Sequence, residues 1–155
     1  MSDLRELYQE VILDHSRQPR NFRRPDHANR EAKGDNPLCG DKVTVFLTIE
    51  DGKVTDVGFQ GRGCAISMAS ASLMTEIVKG KTEAEARALF ESFHDEMTGK
   101  STCHGAAAGE LDKLTVLSGV REYPMRVKCA TLSWHTLMAA LDKAQTVSTE
   151  SDDRL

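Results

Sequence analysis

Residues 41–61, DKVTVFLTIEDGKVTDVGFQG, constrain the fold more than any other stretch of this chain. Val43, Val45, Leu47 and Ile49 alternate with Thr44, Phe46 and Thr48, which is the period of a strand with one buried face. Asp51-Gly52 follows, a pair that readily takes the positive φ angles of a two-residue hairpin turn. Val57 and Phe59 belong to the return strand, and Gly58 marks a bulge or a close backbone approach. The expectation is an antiparallel hairpin whose apolar face must be covered.

The covering elements read as helices. Leu4, Leu7, Tyr8, Val11 and Ile12 recur at helical spacing and predict a helix over 3–17, with Asp3 and Glu6 at its start. SRQPRNFRRPDHANREAKGDNP then reads as a long irregular connection, a kind that is usually functional or disordered. After the hairpin, GRGCAISMASASLMTEIVKG turns on Gly61 and Gly63 and becomes a helix that Gly80 stops. Ile66, Ala69, Leu73 and Ile77 line one face of it, and its many small residues let another backbone come close. TEAE, Thr82 to Glu85, is a capping box, followed by the stripe Ala86, Leu89, Phe90 and Phe93. TGKSTCHGAAAGE resists assignment, and a short helix is expected around Leu111, Leu114 and Leu117. Pro124 suits the first turn of a last helix that carries Val127, Ala130, Trp134, Leu137 and Leu141. The fold class is α+β, a small antiparallel sheet packed against a group of helices. With 155 residues and no internal repeat, one domain over 1–145 is expected, with 146–155 as a flexible C-terminal tail.

Composition excludes some functions. The formal net charge of −4 argues against nucleic acid as a partner, because phosphate binding needs a basic surface. No apolar run is long enough for a membrane span, and MSDLRELYQEV lacks the basic start and apolar core of a signal peptide. A cytoplasmic location is the expectation. In a reducing compartment the four cysteines then serve metal binding or reactivity rather than disulfide bonds.

Cys39 lies in a turn before the hairpin, Cys64 where a Gly-rich turn meets a helix start, and Cys129 in the first turn or two of the last helix. Backbone N–H groups at a helix N-terminus favour thiolate over thiol, and the thiolate is the ligand and the nucleophile. The spacing is wide, with 24 residues between the first two cysteines and 64 between the next two, and no CxxC pair is present. Each cysteine alone therefore reads equally as a small buried hydrophobe or as a ligand. Asp41 shares strand parity with Cys39, which would allow a Cys3Asp tetrahedron of the kind zinc accepts, although a solvated turn residue beside Gly40 fits it too. Cys103-His104 is the rival pair, but adjacent residues reach one ion only with distortion. His15, His27, His94 and His135 read as surface or helix residues rather than ligands.

NPLCGD, GRGCAISMASASLM and RVKCATLSWHTL, in that order, resemble the three cysteine motifs of the IscU/SufU (NifU N-terminal-like) iron–sulfur cluster assembly family. The resemblance runs from LYQEVILDHSRQPRNF to the last helix. Scaffold-type members carry a histidine immediately before the third cysteine and a Pro-Pro-Val-Lys motif shortly upstream. This chain has Lys128 and EYPMRVKC there, and a longer segment around HDEMTGKSTCHGAAAGELDKL, so it resembles the SufU-type branch. The resemblance implies the SufU/IscU-like fold and one Zn2+ bound by Cys39, Asp41, Cys64 and Cys129. It also implies that Cys39 accepts sulfur from a SufS-type cysteine desulfurase and passes it to downstream Suf assembly proteins. Arg126 and Lys128 match the basic pair before the third cysteine and would offset the net negative charge of such a centre. A zinc-bound thiolate has its lone pair engaged, so Cys39 must leave the metal to react, by exchange with a partner side chain such as an imidazole. Gly40 would let its loop swing. Two other readings compete: a scaffold assembling a [2Fe–2S] cluster on Cys39, Cys64 and Cys129, and a structural zinc module without chemistry.

Overall fold

The structure, a computed structural model, describes residues 2–37, 40–98, 117, 120, 123–142 and 146–148. Its elements run α1 (Ser2–Arg17), β1 (Arg30–Asn36), β2 (Asp41–Glu50), β3 (Lys53–Arg62), α2 (Ala65–Val78), α3 (Glu83–Thr98), α4 (Pro124–Leu141) and β4 (Thr146–Ser148). The class is α+β, as expected. The sheet order is β3-β2-β1-β4, antiparallel except for the short β1–β4 pair.

The hairpin forms as its sequence requires. Asp51 and Gly52 take φ of 55° and 75°, the positive angles of a two-residue turn matched to strand twist. Val43, Val45, Leu47, Val54, Val57 and Phe59 are buried toward the helices. Phe46 and Thr48 are buried as well, so the opposite face of β2 is also covered. Arg23 and Arg24 contribute to this covering, while Asn21 and Phe22 reach β3 on its helix-facing side. Arg24 stacks over the Phe46 ring at 5.4 Å, Phe22 meets Phe59 edge to face at 5.1 Å, and Phe59 N–H donates to Asn21 O at 3.1 Å. A β-carbon on Gly58 would run into the carbonyl of Arg23, so close approach is the reason for that glycine.

The connection expected over 16–37 is therefore two things. Its first part is an ordered strap, and its second part is strand β1. The strand escaped notice because its inward residues are Ala32, Gly34 and Asn36, without one large apolar side chain. They are small because α4 crosses close by: a β-carbon on Gly34 would collide with Thr136 Oγ1 and press on Leu132. The expected tail also differs at its start, since Thr146–Ser148 pairs with Lys33–Asp35 of β1.

The helices form where their signals stand. Thr82 and Glu85 make the reciprocal cap, Thr82 N–H to Glu85 Oε1 at 2.9 Å and Glu85 N–H to Thr82 Oγ1 at 3.0 Å. Ala86, Leu89, Phe90 and Phe93 are all buried beyond it. Helix α2 is buried on nearly every side rather than on one face, because α1, α4 and β3 all pack on it. Its small residues make this possible, and Ser70 Oγ donates to the Ala130 carbonyl of α4 at 2.5 Å. His15 is a buried helix residue whose Nδ1 lies 2.7 Å from Ser72 Oγ, tying α1 to α2. Apart from Thr98, which ends α3, the TGKSTCHGAAAGE segment lies outside the described residues, as do Leu111 and Leu114 of the expected short helix; Leu117 is buried. Among the described residues no helix is long and apolar enough to cross a membrane.

Candidate metal centre

Three elements meet where β1 ends, β2 begins and β3 ends. Asp41 is the first residue of β2, Cys64 caps α2, and Cys129 sits in the second turn of α4. Their ligand atoms all lie within 4.8 Å of one another. The α2–α4 contact through Ser70 and Ala130 is what brings the two cysteines together across 64 residues of sequence. The turn before α2 is shaped for the carboxylate. A β-carbon on Gly63 would stand 2.8 Å from Asp41 Oδ1, and the Cys64 N–H donates to that same oxygen at 3.0 Å. Asp41 is only 2% exposed, so the solvated-turn alternative does not hold.

Electrostatics divides the two cysteines. Cys64 has extended N-cap backbone, φ −69° and ψ 169°, and its sulfur accepts from Ser67 N–H at 3.4 Å. The first turn of α2 holds no acidic residue to compete for these donors. The Cys129 thiol donating to it, with the Ser67 and Ile66 N–H groups, lowers the Cys64 pKa to about 6 against burial and the Asp41 charge. Cys129 moves the other way: Cys64, burial and Asp41 all disfavour a second thiolate and hold it as a thiol. Without a metal, then, the pair keeps one proton, and a cation is what would let both sulfurs ionise.

The donor set suits a small, borderline-soft dication. Around zinc, sulfur ligands at about 2.3 Å in a tetrahedron stand about 3.8 Å apart. Cys64 Sγ lies 3.8 Å from Asp41 Oδ2, and the three-atom cluster is already near that size. A cleft of about 470 Å3, lined by Gly40, Asp41, Arg62, Gly63, Cys64 and Arg126, opens onto the site. Arg126 Nη1 is 3.9 Å from Cys129 Sγ, one helical turn away on the same face. Lys128 follows on α4 and is half-buried; one residue from Cys129, it does not share that face. Cys39 and Cys103 lie outside the described residues, whereas Gly40 is described and has a φ of 77°. Two residues of the site were not read from the sequence. Arg62 lines the cleft at the end of β3, and Asn36, 1% exposed, donates from Nδ2 to Cys129 Sγ at 3.7 Å. The signal for Asn36 was its strand parity with Ala32 and Gly34, visible only once β1 is known.

Residues 7–145 match the family described as the NifU-like N-terminal domain. The chain belongs to that family. This NifU-like domain is 36% identical over 144 residues to the iron–sulfur cluster assembly scaffold protein IscU of Streptococcus pyogenes serotype M1, covering 93% of this chain and 88% of the relative. It is 38% identical over 144 residues to the zinc-dependent sulfurtransferase SufU of Bacillus subtilis strain 168, covering 93% of this chain and 95% of the relative. A crystal structure from Fervidobacterium islandicum AW-1, described as a candidate cluster assembly scaffold for the SUF system, superposes with a TM-score of 0.79 at 37% identity. That match covers 85% of this chain and 94% of the other. The NifU-like domain is thus an iron–sulfur cluster assembly protein of the IscU/SufU family.

Proposed function

We propose that this protein is a cytoplasmic, zinc-dependent sulfurtransferase of the SufU type, which accepts persulfide sulfur on Cys39 from a SufS-type cysteine desulfurase and hands it to downstream Suf assembly proteins. The observation that carries this reading is the Asp41–Cys64–Cys129 cluster, two sulfurs and one buried carboxylate within 4.8 Å. Lys128 in the position where scaffold-type members resemble one another in having histidine supports the same branch. Zinc held by Asp41, Cys64, Cys129 and Cys39 would keep the thiolates deprotonated and add no redox chemistry of its own.

The chain's residues then divide the work. Asp41, Cys64 and Cys129 hold, each anchored on a strand or helix. Cys39 would supply the reacting thiolate once a partner's side chain takes its place among the donors, beside the glycine whose positive φ suits a turn. Its thiolate attacks the outer sulfur of the donor persulfide; a new S–S bond forms on Cys39, the donor S–S bond breaks, and the donor cysteine departs with the electron pair as thiolate. Arg126, exposed at the cleft, balances negative charge as donor and acceptor approach.

The test is stimulation of a SufS-type desulfurase, with zinc measured in the same samples. Cys39→Ser is expected to abolish stimulation. A zinc-loaded Cys39→Ser protein that stimulates like the wild type removes Cys39 as acceptor. The second reading, a scaffold building a [2Fe–2S] cluster on Cys39, Cys64 and Cys129, is favoured by the equally similar relative named IscU. It predicts a brown protein whose cluster moves intact to an apo-acceptor.

A further inference from the structure

Asn36 is a buried amide at the end of β1, paired in register with Asp41. It makes two contacts that bear on the centre. Its Nδ2 donates to Cys129 Sγ at 3.7 Å, and its backbone carbonyl accepts from the N–H of Gly40, the residue after Cys39, at 2.8 Å. One rigid strand end thus touches the sulfur of α4 and tethers the chain next to Cys39.

We propose that Asn36 is a positioning residue that commits Cys129 to remain on the metal while Cys39 is the cysteine that leaves. The inference rests on the metal-centre reading above. An N–H directed at a thiolate spreads its charge and fixes its lone-pair direction, which makes the sulfur a better-held ligand and a poorer nucleophile. Arg126 also reaches this sulfur, at 3.9 Å, but from an exposed side chain that a docking partner can draw away. Asn36 is enclosed between β2 and α4, so its donation survives docking. The carboxylate and Cys64 have backbone donors of their own, from Cys64 N–H and Ser67 N–H. Cys129 lies inside a helix, where its neighbouring backbone N–H groups are used within the helix, so its donor has to come from a side chain.

The experiment replaces zinc with cobalt(II) in the full chain, wild type and Asn36→Leu, and reads the sulfur-to-cobalt charge-transfer bands and the competition with a chelator. Asn36→Leu is expected to keep the bands, shift them to lower energy, and lose cobalt affinity by roughly 10- to 100-fold. Bands of unchanged energy with unchanged affinity would overturn the proposal. A wild-type protein without sulfur-to-cobalt bands would instead remove the metal-centre reading beneath it. Should Asn36→Leu not fold, the wild type loaded with cadmium-113 decides the matter. A scalar coupling between the metal and an Asn36 side-chain amide proton is expected, and its absence rules out the N–H···S contact.

Discussion

Gly63 has no room for a β-carbon, and the obstacle is the carboxylate of Asp41. Alanine there would place carbon 2.8 Å from Oδ1 and 3.0 Å from Cγ. The carboxylate would be pushed off the Cys64 N–H that now holds it at 3.0 Å. Gly63→Ala is therefore expected to weaken metal binding by roughly 10- to 100-fold, as misdirected ligands do. A chelator competition on the purified variant measures this, and affinity equal to wild type would show that Asp41 is not held by this turn. The same residues show what single positions in sequence can and cannot reveal. Cys39, Cys64 and Cys129 are legible as candidate ligands through the motifs around them, since each alone reads equally as a small buried hydrophobe. Asn36 and Gly63 act through neighbours 93 and 22 positions away, and no local pattern encodes that.

At the scale of elements, residues 18–29 keep the irregular course expected of them but pack as a strap against the sheet and α2. Asp56 of β3 is its anchor, bonded twice by Arg23 Nη2 at 3.0 and 3.2 Å and approached by Lys79 at 3.6 Å. Partial burial works to raise the Asp56 pKa, but Arg23, the Val57 N–H and Lys79 together outweigh it and lower the value. A carboxylate lowered on folding stabilises the native state above its unfolded pKa, and that contribution is lost as pH falls through the folded value. Asp56→Asn is thus expected to cost up to about 1 kcal/mol at neutral pH, a modest figure because the pairs are partly exposed. That is a Tm loss of about 2–4 °C. The gap between variant and wild type should close below the pH at which Asp56 protonates. A gap that persists undiminished in acid would assign the effect to packing instead. The elements that sequence reading captured carry dense local signals: the alternation with Asp51-Gly52, and the reciprocal Thr82–Glu85 cap. Strand β1 carries none, since contact with α4 demands small residues exactly where a strand signature needs large ones.

On the scale of the whole molecule, the core does not depend on the metal centre. Trp134, Phe59, Phe93, Leu47 and Leu137 are all fully buried, and the ligand cluster gathers at the end of the sheet where β2 begins. A domain of this size buries enough surface to fold unaided. Metal removal is therefore expected to lower Tm by on the order of 10 °C, the linkage contribution of a tightly bound ion, while a cooperative transition remains. Circular dichroism of the chelated protein checks this; loss of the transition would make the metal a structural staple and favour the reading without chemistry.

By itself the sequence determined which segments alternate with the period of a strand or of a helix, where the hairpin turns, where α3 is capped, and which side chains can ligate. Those are local properties, set by steric preferences and hydrogen bonds within a few residues. Only the tertiary structure decided that Asp41 is buried, that the strap packs against β2, β3 and α2, that β1 exists, and that Asn36 donates to Cys129. Each of these depends on contacts between segments far apart in sequence, and a chain has no such distances until it is folded.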